Sequence, residues 1–175
     1  MEGLHRSLSD KEIKRRSGMP CYLYRELENR IELPRLPFCL LYEMEPNRGH
    51  WCLVHRTVDT NGEPCIEMFD SYGIFPDNEL NWVTPDFKKV SGQQHTHLLR
   101  LLMNSEQNIA YNNVCLQGPK TSTCGRWCIF RQQNHRISAE QFASEVKKNA
   151  ADQAISPDEY VVLCVPDHHG IMIPT

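Results

Sequence analysis

No apolar run in this chain approaches the ~20 residues that a bilayer span needs, so no membrane-crossing helix is expected. The opening Met1-Glu2-Gly3-Leu4-His5-Arg6 is polar and lacks the apolar centre of a secretory signal. There is no internal repeat, no low-complexity tract and no large excess of one charge. The net charge of −3 argues against a general nucleic-acid binder. Basic residues do gather at His5, Arg6, Lys11, Lys14, Arg15 and Arg16, a pattern read as a solvated helix face. Cysteine, by contrast, is plentiful. Eight are present, and most sit inside apolar runs such as Phe38-Cys39-Leu40 and Leu163-Cys164-Val165, as reduced, buried thiols do. An intracellular, reducing environment is the expectation. With 175 residues, 40% of them hydrophobic and 23% charged, the chain suits one domain over 1–175, with a tail from about Pro166.

Local patterns divide the chain. Ser9-Asp10-Lys11-Glu12 has the form of a capping box and predicts a short helix to Arg16 that stops at Gly18. Leu23 and Leu27 predict a second helical stretch from Tyr22 to Glu28. From Pro37 the signals change. Phe38–Tyr42, His50–Val58 and Cys65–Phe69 read as strands, the last two joined through Asn61-Gly62, and short turns between the three predict an antiparallel meander. A segment bearing Pro and Asp runs to about Asp86, Gln94–Met103 reads as a helix or irregular cover, and Tyr111–Leu116 reads as a further strand. Ser138-Ala139-Glu140-Gln141 opens an amphipathic helix to about Lys148. Ser156-Pro157-Asp158-Glu159 opens another to about Cys164, although Tyr160-Val161-Val162 also suits a strand.

The stretch from Leu116 to Phe130 carries the strongest chemical signal. Gly118 and Pro119 break the chain, Thr121, Ser122 and Thr123 offer capping oxygens, and apolar residues at helical spacing begin at Cys124. A cysteine in the first turn of a helix meets free backbone N–H groups and the positive end of the dipole, both of which favour a thiolate. Such placement lowers a thiol from about 8.5 into the range of roughly 3.5–7.5. A thiol nucleophile also needs a base, a group to orient that base, and donors for an oxyanion. His50, opening a strand after a polar turn, is the best base. His55 lies an odd number of positions further along and should face the other side of the strand. Asp70, at the end of the neighbouring strand, is the best orienter, ahead of Asp59 and Glu67. Gln117, seven positions before Cys124, can donate its carboxamide N–H to an oxyanion. Trp51 and Gly125 are expected at the substrate cleft, Gly125 because a missing side chain lets a substrate backbone approach. Together these two point to small residues beside the cut.

The order His, acid, Gln, Cys, with Gly49-His50-Trp51, Phe69-Asp70-Ser71-Tyr72-Gly73, Leu116-Gln117-Gly118-Pro119 and Cys124-Gly125-Arg126-Trp127-Cys128, resembles the adenovirus maturation endopeptidase family. It is similar also to the related capsid-processing cysteine peptidases of large DNA viruses, virophages and Maverick-type elements. The likeness spans about Phe38 to Phe130. Ubiquitin-like-protein proteases of the same clan usually place Gln one residue nearer to Cys. The resemblance implies an α+β fold in which a mixed, largely antiparallel sheet packs on the helix bearing the cysteine. It implies Cys124 as nucleophile, His50 as general base, Asp70 as orienter and Gln117 in the oxyanion hole, with no cofactor and no metal. It further implies capsid precursors as substrates, action as a monomer in the virus factory of an infected cell, and packaging in the virion. The adenovirus enzyme has glutamate at the place of Asp70, and its activation by a viral peptide and by DNA is not carried over to this chain.

Other readings stay open from sequence. One is an isopeptidase acting on ubiquitin or a ubiquitin-like tag, and another is an acetyltransferase on the same scaffold. A third is a metal-binding module using Cys124, Cys128 and the tail pair His168-His169, although structural zinc sites usually show two paired knuckles and only one can be argued here.

Overall fold

The computed structural model describes residues 1–167. Its elements are α1 (Asp10–Ser17), β1 (Cys21–Leu23), β2 (Phe38–Glu45), β3 (Arg48–Val58), β4 (Pro64–Phe69), α2 (Pro85–Ser91), α3 (His97–Asn104), β5 (Ile109–Tyr111), α4 (Cys124–Gln133), α5 (Ala139–Asp152) and α6 (Pro157–Cys164). The protein is α+β: five strands form one mixed sheet in the order β1-β2-β3-β4-β5, antiparallel in the β2-β3-β4 meander and parallel at each edge. None of the described helices is long and apolar enough to cross a membrane.

Both faces of the sheet are covered, which is why β2 reads as an unbroken apolar run. On one face Cys39, Leu41, Trp51, Leu53 and Phe69 pack against α4 through Trp127, Cys128 and Ile129. On the other, Phe38, Leu40, Tyr42, Cys52, Val54 and Met68 pack against Leu98, Leu101 and Leu102 of α3 and the 3-10 turn Tyr24–Leu27. All eight cysteines are free thiols.

Capping boxes form at Ser9/Glu12 and Ser156/Glu159, whereas of the box expected at Ser138–Gln141 the described residues show only the half in which Ser138 Oγ accepts from Gln141 N–H, and Gly18 ends α1 in the left-handed conformation. The hairpin turn between β3 and β4 is held by Asp59, whose Oδ1 accepts from the N–H groups of Asn61 and Glu63 at 2.8 and 3.0 Å. Gly49 is required beside the β2 bulge, because a Cβ there would lie 1.8 Å from the Tyr42 carbonyl oxygen.

Three expectations are corrected. Tyr22–Glu28 is not a helix: Leu23 packs on the α4 side and Leu27 on the α3 side, so the two share no face, and a short strand followed by a 3-10 turn satisfies both. The strand expected over Tyr111–Leu116 ends at Tyr111, since the Asn112 side chain accepts from Val114 N–H at 3.0 Å and bends the chain. Helix α2 was not anticipated; Thr84 caps it and Pro85 begins it. The expected tail is tied down where it starts. Arg16 donates to the Pro166 and Asp167 carbonyls, while Arg126 and Arg6 pair with the Asp167 carboxylate. Residues 168–175, including His168 and His169, lie outside the described residues.

One buried ionic cluster ties α4 to the meander. Arg131 donates to both oxygens of Glu67 at 2.9 and 3.2 Å and also to Thr57 and the Ile137 carbonyl, with His55 on Glu67 at 3.0 Å. His55 therefore faces α4 and belongs to the scaffold, and burial pushes its pKa down. Arg131→Met strands the Glu67 charge in the core and should lower unfolding free energy by about 3–5 kcal/mol. Urea denaturation measures this, and adding Glu67→Gln should restore part of the loss.

Candidate active site

Strand register decides which side chains meet. β3 and β4 pair as Leu53 with Phe69 and Val54 with Met68, so the next step sets Asp70 across from Cys52, with His50 two residues along on the same face. His50 Nε2 lies 3.0 Å from Asp70 Oδ1, which also accepts the Tyr72 N–H at 2.6 Å, while Cys52 Sγ sits 3.5 Å from Oδ2. With Nε2 engaged, Nδ1 is the nitrogen left for the Cys124 sulfur, and each of the two groups favours the charged form of the other. Tyr72 stacks at a tilt on the His50 ring, and Trp82 meets it edge-on, with centroids at 4.9 and 5.8 Å.

Cys124 is the first residue of α4, as expected from the sequence, and is 6% exposed. The Thr side chains before it do not cap the helix in the expected way. Thr123 Oγ1 donates instead to Asp158, leaving the free N–H groups of the first turn unclaimed by a side chain. Burial opposes a charged sulfur, but the His50 ring and the N–H groups of Trp51 and Gly125 outweigh it and hold the Cys124 thiol below its ordinary range. Burial likewise opposes charge on His50, yet the Asp70 carboxylate and the Cys124 thiolate carry its pKa up to about 10. Both shifts favour a thiolate–imidazolium pair at neutral pH.

Gln117 is buried beside Cys124. Its Oε1 accepts from Ser71 Oγ at 2.6 Å and its Nε2 donates to the Thr121 carbonyl at 3.0 Å, so one of the two amide hydrogens has no protein partner among the described residues. The carbonyl of Ser71, next to Asp70, also accepts the backbone N–H groups of Leu116 and Gln117 at 2.8 and 3.0 Å. The acid and the glutamine are thus fixed to one another. Gly73, at φ +73°, lets the segment 113–115 pass where a Cβ would come within 2.7 Å of its backbone.

Two residues not singled out from sequence complete the site. Asp158 of α6 is buried and accepts from Gly118 N–H at 2.6 Å, Thr121 Oγ1 at 3.1 Å and Trp127 Nε1 at 3.1 Å, as well as from Thr123. It pins the Gln117 loop to α4. In the sequence it stands in a capping box, which masked this second use. Glu79, in the 3-10 turn Asn78–Trp82, is buried against Asp70.

A groove of about 900 Å³ opens over the sulfur, lined by Leu8, Trp51, Tyr72, Trp82 and Gln117, and runs on past β1 and the β2–β3 turn. Trp51 stands in it as expected and donates to the Leu8 carbonyl at 3.0 Å. Gly125 does not. A Cβ at this position would meet Leu8 and Ile13 at 3.1 and 3.3 Å, so its missing side chain serves packing of the N-terminal segment and α1, not a substrate. The expectation of small residues beside the cut loses that support.

His50, Cys52 and Asp70 place ligand atoms within 4.8 Å of one another. Their buried atoms already satisfy each other by hydrogen bonding, and the Nε2–Oδ1 separation of 3.0 Å is that of a proton bridge. Cys128 lies in the buried core cluster with Cys39 and Cys124.

Fold and site together define an α+β protein with a buried Cys–His–Asp constellation at a helix N-terminus. No family model matches the chain. It is similar to the protein named "Uncharacterized protein V9" of Sputnik virophage, with 32% identity over 126 residues that cover 71% of this chain and 70% of that protein. The chain belongs to the family of that virophage protein.

A short pulse of iodoacetamide at about pH 6.5, followed by peptide mass mapping, should label Cys124 ahead of the other seven cysteines. Because its pKa is lowered, the thiolate persists below the ordinary thiol range near 8.5. His50→Ala should remove the preference and return labelling to alkaline pH.

Proposed function

We propose that this protein is a cysteine endopeptidase, with the fold of the adenovirus maturation endopeptidase, that cleaves virus capsid precursors during virion maturation. The observation that carries the reading is the gathering of His50, Gln117 and Cys124 at one groove, with His50 Nε2 on Asp70 at 3.0 Å and the sulfur at the start of α4. Kinship with a virophage protein supports a viral setting. In that setting the enzyme acts as a monomer in the virus factory of the infected cell and is packaged in the particle.

The chemistry follows from the groups present. The Cys124 thiolate attacks the scissile carbonyl carbon, and the developing oxyanion is met by the free Gln117 amide hydrogen and the Cys124 backbone N–H. The His50 imidazolium gives its proton to the departing amine, leaving an acyl-enzyme. Neutral His50 then takes a proton from water, which attacks the thioester and frees the sulfur. Asp70 holds one tautomer throughout and stabilises the charged ring.

Incubation with the structural proteins of the virus particle should give discrete new fragments with wild type and none with Cys124→Ala. Identical uncleaved bands with both would refute the proposal. Gln117→Ala should slow turnover of a cleaved peptide about 10²–10³-fold while Cys124 alkylation stays fast, because alkylation forms no oxyanion.

A further inference from the structure

Glu79 is an acid at 0% exposure, and the mechanism above makes no use of it. Its turn is rigidly entered. Asp77, just before it, accepts from the Tyr24 and Tyr42 hydroxyls at 2.8 and 2.9 Å and from Leu99 N–H at 2.8 Å. The same turn ends at Trp82, whose ring edges His50. Glu79 Oε1 lies 4.0 Å from Cys52 Sγ, while Glu79 Oε2 is buried with no donor on it among the described residues. The groups that face this carboxyl are Asp70 from the end of β4, His50 and Cys52 from β3 and Tyr42 from β2.

Two buried carboxylates that share one neighbour, the Cys52 sulfur at 3.5 Å from Asp70 Oδ2 and 4.0 Å from Glu79 Oε1, disfavour each other's charge. Asp70 has His50 and the Tyr72 N–H to stabilise its charge, whereas Glu79 Oε2 has no donor among the described residues. Burial, and then the neighbouring Asp70 charge, push Glu79 up to about 10. A proton on Glu79 turns an orphaned acceptor into a donor, and Asp70 Oδ2, which among the described residues accepts only the weak Cys52 S–H, can receive it.

We propose that Glu79 is a positioning residue that works as a neutral acid, donating its O–H to Asp70 so that the carboxylate stays ionised, oriented and locked on His50. This rests on the reading of Cys124 as the reacting thiol. It extends the relay to Glu79–Asp70–His50–Cys124, with the outermost member uncharged.

The test compares wild type, Glu79→Leu and Glu79→Gln by the pH profile of Cys124 alkylation with iodoacetamide, and by difference infrared spectra of the carboxyl region. A leucine has no donor, so E79L should lose about fivefold in rate near pH 6, with its acid limb moved to higher pH because Asp70 takes up a proton more readily. A glutamine donates as the neutral acid does, so E79Q should rescue the profile. The protonated-carboxyl band of wild type should be missing from E79Q. An E79L profile equal to wild type would overturn the proposal. So would an E79Q profile whose alkaline limb falls to lower pH, the mark of a negative charge removed from beside His50. If E79L does not fold, the E79Q profile and the infrared band decide. Wild-type alkylation no faster than that of an ordinary thiol would instead defeat the nucleophile reading itself, whatever the infrared band shows.

Discussion

The site depends on one hydrogen bond, between His50 Nε2 and Asp70 Oδ1, and that bond is a product of strand register. A slip of one residue between β3 and β4 would send either side chain to the opposite face of the sheet. The tight Asp59–Glu63 turn sets this pairing on one side. On the other, Gly49 and the β2 bulge fix how β3 leaves β2 just before His50. The sheet alone does not supply a nucleophile. It presents an oriented imidazole to the start of α4, and the packing of Trp127, Cys128 and Ile129 on Trp51 and Leu53 brings the sulfur to it.

Electrostatics then act in a place nearly closed to water. Removing a thiolate and an imidazolium from solvent is unfavourable, and here three arrangements offset it: the charges face one another, the Asp70 carboxylate backs the ring, and N–H groups of Trp51 and Gly125 point at the sulfur. Asp158 does comparable work for the oxyanion side, binding the Gln117 loop to α4 through four donors. Ser71 links the two halves, since it follows Asp70 directly and holds the Gln117 carboxamide in one orientation.

Much of this was legible in the sequence because it is local. Capping boxes, the Asn61-Gly62 turn, the apolar run of β2 and the helix beginning at Cys124 each follow from a few neighbouring residues. The opposite facing of His50 and His55 follows from strand alternation. What escaped was decided by distant partners. Leu23 and Leu27 carry helical spacing yet belong to two different cores, and Asn112 ends a strand by bonding Val114 and the Asp70 carbonyl. Gly125 was read toward a substrate, whereas its close neighbours are Leu8 and Ile13 from the far N-terminus. Asp158 and Glu79 carry no local signal for their roles, because the first acts on residues 31 to 40 positions away and the second on a residue 9 positions away, through a fold that pattern alone does not specify.

The ionic state of His50 in the resting protein bears most directly on this picture. Nitrogen-15 NMR of the imidazole at pH 7 should show both ring nitrogens protonated, with one proton shared toward Asp70. A neutral ring at that pH, with a single protonated nitrogen, would contradict the buried ion pair on which the site is built.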